Sequence, residues 1–180
     1  MAREICLRLL AARPRTRAEL ATALSRRGIA DEVAAEVLDR YDEVGIIDDQ
    51  AFAHAWVTSR HHSRGLAGRA LAGELRRKGV DSTLVSEAVD ELDPSTEEAT
   101  ARALVARRLR LEHGAPEATF RRLVGALARK GYPSGLAFRV VKDVLAERAE
   151  SAEFADAIDA EALADASVEP EAADGAAPLG

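Results

Sequence analysis

A glycine recurs at matched places along this chain, and the residues around it recur with it. Leu20, Leu71 and Leu123 stand 51 and 52 residues apart. So do Leu24, Leu75 and Leu127; Gly28, Gly79 and Gly131; Ile29, Val80 and Tyr132; and the candidate helix caps Asp31, Ser82 and Ser134. Val33, Leu84 and Leu136 keep the same register, as do Leu38, Val89 and Val141. Self-similarity at a fixed period is the mark of a repeat architecture. Within each copy the apolar residues fall three and four apart, the spacing of one helical face. Each glycine then closes a helix, because it accepts the left-handed conformation that ends one. Three short helices bury little by themselves, so such units stack in series. The expected fold is all-α: an elongated, curved tandem array of three three-helix, helix-turn-helix-like repeats. The expected divisions are 1–47, 48–93 and 95–150, followed by an acidic, Ala-rich tail, 151–180, that is largely disordered.

The stretch from Gly45 to Ala53 shows how the copies join. Gly45 stops one helix, and Asp48 and Asp49 are acceptors suited to the start of the next. Phe52, Ala53, Trp56 and Val57 follow on one face. There is no room for a linker or a strand pair. Elsewhere, Thr16-Arg17-Ala18-Glu19 and Ser95-Thr96-Glu97-Glu98 read as capping boxes. The helices expected are 2–12, one carrying Leu20 and Leu24, one with Val33, Val37, Leu38 and Tyr41 inward, 49–61, about 66–78, one lined by Leu84 to Leu92, 96–112, one with Leu123 and Leu127, and one with Leu136 to Val144. His61 to Gly65 reads as a turn. The last helix is expected to run on through Phe154 and Ile158, with disorder beyond about 165.

Composition narrows the function. Hydrophobic residues make up 47% of the chain but aromatics only 4%, so the core is Ala and Leu, both strong helix formers. No run of 18 apolar residues exists, so no membrane span is expected. The first residues lack the apolar core of a signal peptide, and the cytoplasm is the expected compartment. Cys6, the single cysteine, reads as a packing residue on an apolar face. The net charge of −6 hides an asymmetry. Eight of the 31 acids lie in 151–180, which has no Lys or Arg, so 1–150 holds 23 acids against 25 bases, a net of +2.

The motifs of catalysis are missing. No glycine is followed by lysine, so there is no P-loop; Cys-x-x-Cys and His-Glu-x-x-His are likewise missing. His54, His61 and His62 read as solvated or turn histidines, since a metal would need a third ligand in reach. Helix capping and the helix dipole account for the Asp48-Asp49 pair. Neither a metal nor a cofactor is expected, nor is an enzyme.

Cations and shape remain. Arg60, Arg64, Arg69, Arg76, Arg77 and Lys78 cluster on the middle repeat. Arg26-Arg27 and Arg129-Lys130 stand at the matching places of the outer repeats, so each unit puts a basic pair before its glycine. Evenly spaced cations suit a regular polyanion or an acidic surface. The expected contact residues are Arg60, Arg64, Arg69, Arg76, Arg77, Lys78, Arg129 and Lys130.

Arg15, Arg17, Glu19 and Leu20 in Arg-x-Arg-x-Glu-Leu, the segment Gly45-Ile46-Ile47-Asp48-Asp49-Gln50-Ala51-Phe52-Ala53, and Glu74-Leu75-Arg76-Arg77-Lys78-Gly79-Val80 together resemble the RecX family of recombination regulators. The resemblance covers about residues 3–145 and is weakest in the third repeat. It implies a tandem array of three-helix repeats and a non-enzymatic partner of the RecA recombinase. Such proteins lodge in the groove of the RecA filament on DNA and restrain its ATPase, strand-exchange and repressor-cleavage activities. A monomer is expected. The other reading is a helix-turn-helix transcription regulator, because Thr16 to Asp48 resembles the start of a winged helix. A wing would need two strands after Asp49, where the period is helical.

Overall fold

The computed structural model describes residues 1–112 and 115–166, with side chains as far as Glu153. Among the described residues there are nine helices and no strand: α1 (Ala2–Ala12), α2 (Arg17–Ser25), α3 (Asp31–Glu43), α4 (Asp49–Arg64), α5 (Gly68–Arg77), α6 (Ser82–Asp90), α7 (Pro94–Leu109), α8 (Pro116–Arg129) and α9 (Ser134–Ala166). The wing of the alternative reading is ruled out, since α4 occupies the place where its strands would begin. Met1–Val141 forms one compact unit and Lys142–Gly180 a second. Within the second, the chain is helical as far as Ala166; the disorder expected beyond about 165 falls almost wholly outside the described residues.

Each repeat folds for the reason its periodicity gives. In the first, Ile5 and Cys6 of α1, Leu20 and Leu24 of α2, and Val37, Leu38 and Tyr41 of α3 are buried together with Ile47. In the second, Phe52, Ala53 and Val57 of α4 meet Leu71 and Leu75 of α5 and Val85 and Ala88 of α6. In the third, Ala101, Val105 and Leu109 of α7 are buried, as are Leu123 and Leu127 of α8 and Ala137, Val140 and Val141 of α9. Val33 departs from the expectation: it is 48% exposed. The inward row of α3 is Ala34, Val37, Leu38 and Tyr41, at 3,4 spacing, and Val33 lies one step outside it.

The three recurrent turns are built alike. Gly28, Gly79 and Gly131 have φ of 72°, 77° and 91°, the left-handed region open to glycine. Ile29, Val80 and Tyr132 donate N–H to the carbonyls of Leu24, Leu75 and Leu127 at 3.3, 3.2 and 3.2 Å. Each glycine N–H reaches the carbonyl three residues back, of Ser25, Arg76 and Ala128. This is the Schellman ending, which needs an apolar residue just past the glycine to meet one in the last turn. The matched leucines and their Ile, Val or Tyr partners supply that contact.

Several caps sit one or two residues earlier than expected. Asp31 lies inside the first turn of α3, with Ala30 at the cap position. Asp81, not Ser82, caps α6 by accepting the Thr83 N–H at 2.8 Å. Asp93 caps α7 by accepting the Thr96 N–H at 2.9 Å, with Pro94 already in the helix. A carboxylate beside a serine takes the cap, and a proline after it supplies a helical φ at no hydrogen-bond cost. At α9 the Pro133 carbonyl accepts from Ala137, so Ser134 is already the first helical residue. The Thr16–Glu19 capping box is present in full, and Asp48 caps α4 through the Ala51 N–H at 2.8 Å.

Asp49 does something that local reading missed. Its carboxylate accepts the Arg17 N–H of the first repeat at 2.9 Å. Glu97 of α7 does the same for the Gly68 N–H of α5 at 2.8 Å. The second and third repeats thus each lend a carboxylate to the start of the second helix of the repeat before. Burial pushes the Asp49 carboxyl above its usual range, and Asp42 and Asp48 nearby act in the same direction, against the opposing Arg17 N–H and charge. A raised carboxyl costs stability at neutral pH, and that cost is recovered as pH falls through the raised value. Asp49→Asn keeps an acceptor and removes the charge, so its melting temperature at pH 7 is expected to match or exceed the parent's. Asp49→Ala strands the Arg17 N–H and is expected to lose about 1–2 kcal/mol by urea titration.

Candidate partner-binding face

The eight cations expected to make contact divide into three groups once their neighbours are known. Lys78 and Lys130 are not free. Lys78 Nζ lies 2.8 Å from Glu19 Oε1 in α2 and 4.4 Å from the centre of the Trp56 ring. Its carbonyl accepts the buried Thr16 hydroxyl at 2.6 Å. Lys130 Nζ donates to the Arg64 carbonyl at 2.5 Å, and the Lys130 carbonyl accepts the Ala67 N–H at 2.9 Å. Both lysines fasten a repeat to the one before it. Glu19 responds to its place in the first joint. Burial pushes its carboxyl up, but the hydrogen bonds from Lys78 and Thr16 and the charges of Lys78 and Arg13 outweigh this and hold it below its usual range. Its contribution is therefore complete above the ordinary glutamate range and lost as pH falls through the lowered value.

Arg60 and Arg64 surround Glu74 of α5. The Arg60 guanidinium stacks 4.2 Å over Trp56 and lies 3.7 Å from Glu74, while Arg64 is 3.9 Å from the same carboxylate. The Trp56 indole N–H donates to Glu74 at 2.8 Å, and its ring stacks on Phe52 at 5.6 Å. Arg69, Arg76, Arg77 and Arg129 form the third group. All four are exposed, and none has an ion-pair partner among the described residues. Arg77 and Arg129 are equivalent by register, and each lies along its own helix over a glycine one turn back. Their guanidinium nitrogens sit 3.5 and 3.4 Å from where a Cβ on Gly73 or Gly125 would be. Of each basic pair, then, the second residue is used in the second and third repeats and the first stays open to solvent.

His61, expected in a turn, is in α4 and buried. Its Nδ1 is 2.9 Å from the Leu66 carbonyl and its Nε2 2.9 Å from Thr100 Oγ1 of α7. Gly65, in the left-handed conformation, ends that helix one turn later than the expected end at 61. His54 pairs with Glu91 at 2.8 Å. Among the described residues no group of three His, Cys, Asp or Glu side chains could hold a metal ion, and no helix is long and apolar enough to cross a membrane. Sequence reasoning overlooked Arg107, an exposed cation near Lys130. It falls outside the 51–52-residue register, so nothing in the repeat pattern marked it.

Three stacked helical triplets joined by lysine and carboxylate clasps, with arginines left open on the second helices of the second and third, define a helical-repeat protein. Family models agree on which one. The model for the first three-helix domain of RecX matches residues 2–40, that for the second matches 48–89, and that for the third matches 96–141. The chain belongs to the RecX family. It is 58% identical over 154 residues to the regulatory protein RecX of Thermobifida fusca (strain YX), covering 85% of this chain and 83% of that one. With the regulatory protein RecX of Mycolicibacterium smegmatis (strain ATCC 700084 / mc(2)155) it shares 52% identity over 154 residues, covering 83% and 82%. The fold is that of the crystal structure of RecX from Lactobacillus salivarius, with a TM-score of 0.74 at 17% identity, over 79% of this chain and 94% of that one.

Proposed function

We propose that this regulatory protein binds the RecA recombinase filament on DNA and restrains its ATPase, strand-exchange and repressor-cleavage activities, acting as a cytoplasmic monomer without catalysis of its own. The observation that carries this is the set of exposed arginines, Arg69, Arg76, Arg77 and Arg129, on the second helices of the second and third repeats, without ion-pair partners among the described residues. A filament offers the same surface again and again. Contacts that are weak singly become strong when several are made at once by one chain. Lys78 and Lys130 belong to this surface only through the joints they hold.

The test separates contact from folding. Arg69→Glu, Arg76→Glu and Arg77→Glu in one chain are expected to leave the helical circular dichroism unchanged, since all three side chains are exposed. The concentration needed to inhibit RecA-driven ATP hydrolysis is expected to rise by about ten-fold or more, equivalent to about 1.4 kcal/mol. Inhibition at the parental concentration would exclude this face.

A further inference from the structure

Between α7 and α8 lies an open cleft of about 390 Å³. Its floor is apolar, with Leu104, Leu111, Leu123 and Leu127 among its lining residues. Leu111 is 77% exposed, the most exposed leucine among the described side chains. The rim is charged, and the charges do not cancel. Glu112 takes Arg122 at 2.8 Å and Arg108 at 3.6 Å. Arg107, on the same rim, has no carboxylate partner among the described residues, and the Lys130 amine beside it is held by the Arg64 carbonyl and not by an acid. Burial, then the charges of Arg107 and Arg64, hold the Lys130 amine below the usual lysine range.

An apolar trough with uncompensated cations on its edge selects its occupant. Nucleic acid would satisfy the cations but offers no apolar ridge for the leucines. An amphipathic helix with a row of Leu or Phe and flanking Asp or Glu satisfies both. We propose that the α7–α8 cleft docks an acidic amphipathic helix of a protein partner. Its apolar row would lie on Leu104 and Leu111, above the buried Leu123, and its carboxylates would meet Arg107 first. This goes beyond the recombinase reading and does not depend on it.

The experiment uses the full chain and a fluorescein-labelled helical peptide of about five turns, with leucines on one stripe and glutamates elsewhere. A second peptide has the same composition with its leucines spread around the helix, and a single-stranded oligonucleotide is the third probe. The striped peptide is expected to bind about ten-fold or more tightly than the spread one by fluorescence anisotropy. Leu111→Asp and Arg107→Glu, both at exposed positions, are each expected to weaken it about ten-fold while leaving the thermal transition in place. Equal binding of the two peptides, or indifference to Leu111→Asp, would overturn the proposal. So would an oligonucleotide that displaces the peptide and loses affinity only in Arg107→Glu, since that would make the cleft a nucleic-acid surface. Loss of peptide binding and loss of ATPase inhibition are read in separate assays on separate variants, so either reading can fail alone.

Discussion

Gly131→Ala is expected to lose about 3 kcal/mol of stability, while Gly28→Ala, at the equivalent turn, is expected to lose only about 1 kcal/mol. Both glycines are left-handed, at φ 91° and 72°, and an alanine at either position carries the backbone strain. The difference lies in what the new methyl would meet. At Gly28 nothing lies within 4 Å. At Gly131 a Cβ would fall 2.4 Å from the Ala70 nitrogen and 2.7 Å from the Ala70 Cβ, so the start of α5 must move. That movement would disturb the Ala67–Lys130 and Gly68–Glu97 hydrogen bonds, which depend on the same approach. Urea melts of the two variants measure the joint between the second and third repeats with the turn itself subtracted. Equal losses would mean that the joint contributes nothing.

Tyr132→Ala is expected to cost about 4 kcal/mol and Tyr132→Phe about 1 kcal/mol. Tyr132 follows the glycine, is 1% exposed, and is the largest of the fully buried side chains described. Its hydroxyl donates to the Gly65 carbonyl at 3.2 Å, so it reaches from the third repeat into the second. Burial, helped by the nearby Glu97 carboxylate, pushes its hydroxyl up to about 12. The phenol thus stays protonated through the range in which ordinary tyrosines ionise. The stability it supplies is complete below the usual tyrosine value of about 10 and falls only as pH rises toward the raised one. The phenylalanine variant removes only the hydroxyl, so the gap between the two variants isolates the packing of the ring. Near-equal losses would show that the ring is not packed as described.

The repeat and its helices were legible because their signals are local. Leu24, Gly28 and Ile29 lie within six positions, and so do their counterparts, so a Schellman ending can be recognised three times over. The Thr16–Glu19 box was legible for the same reason. Caps were harder. Where an aspartate and a serine are adjacent, as at Asp81-Ser82, either can accept the same N–H, and only the path of the chain decides between them. The joints were not legible at all. Lys78 meets Glu19 across 59 residues and Lys130 meets Arg64 across 66, and no periodicity says which of two neighbouring cations turns inward. Arg77 and Lys78 are adjacent and both basic, yet one is fastened and the other open. The leucine-floored cleft escaped notice because it depends on how α7 and α8 pack against each other, which no local spacing reports.

Trp56 sits against Lys78, the residue that ties the second triplet to Glu19 of the first. It is the chain's sole tryptophan. An indole held beneath two positive charges, with its N–H given to a carboxylate, emits according to that setting. The molecule therefore carries its own optical gauge: a change in tryptophan colour or brightness, with no label attached, reports whether the first two triplets remain clasped while the chain works.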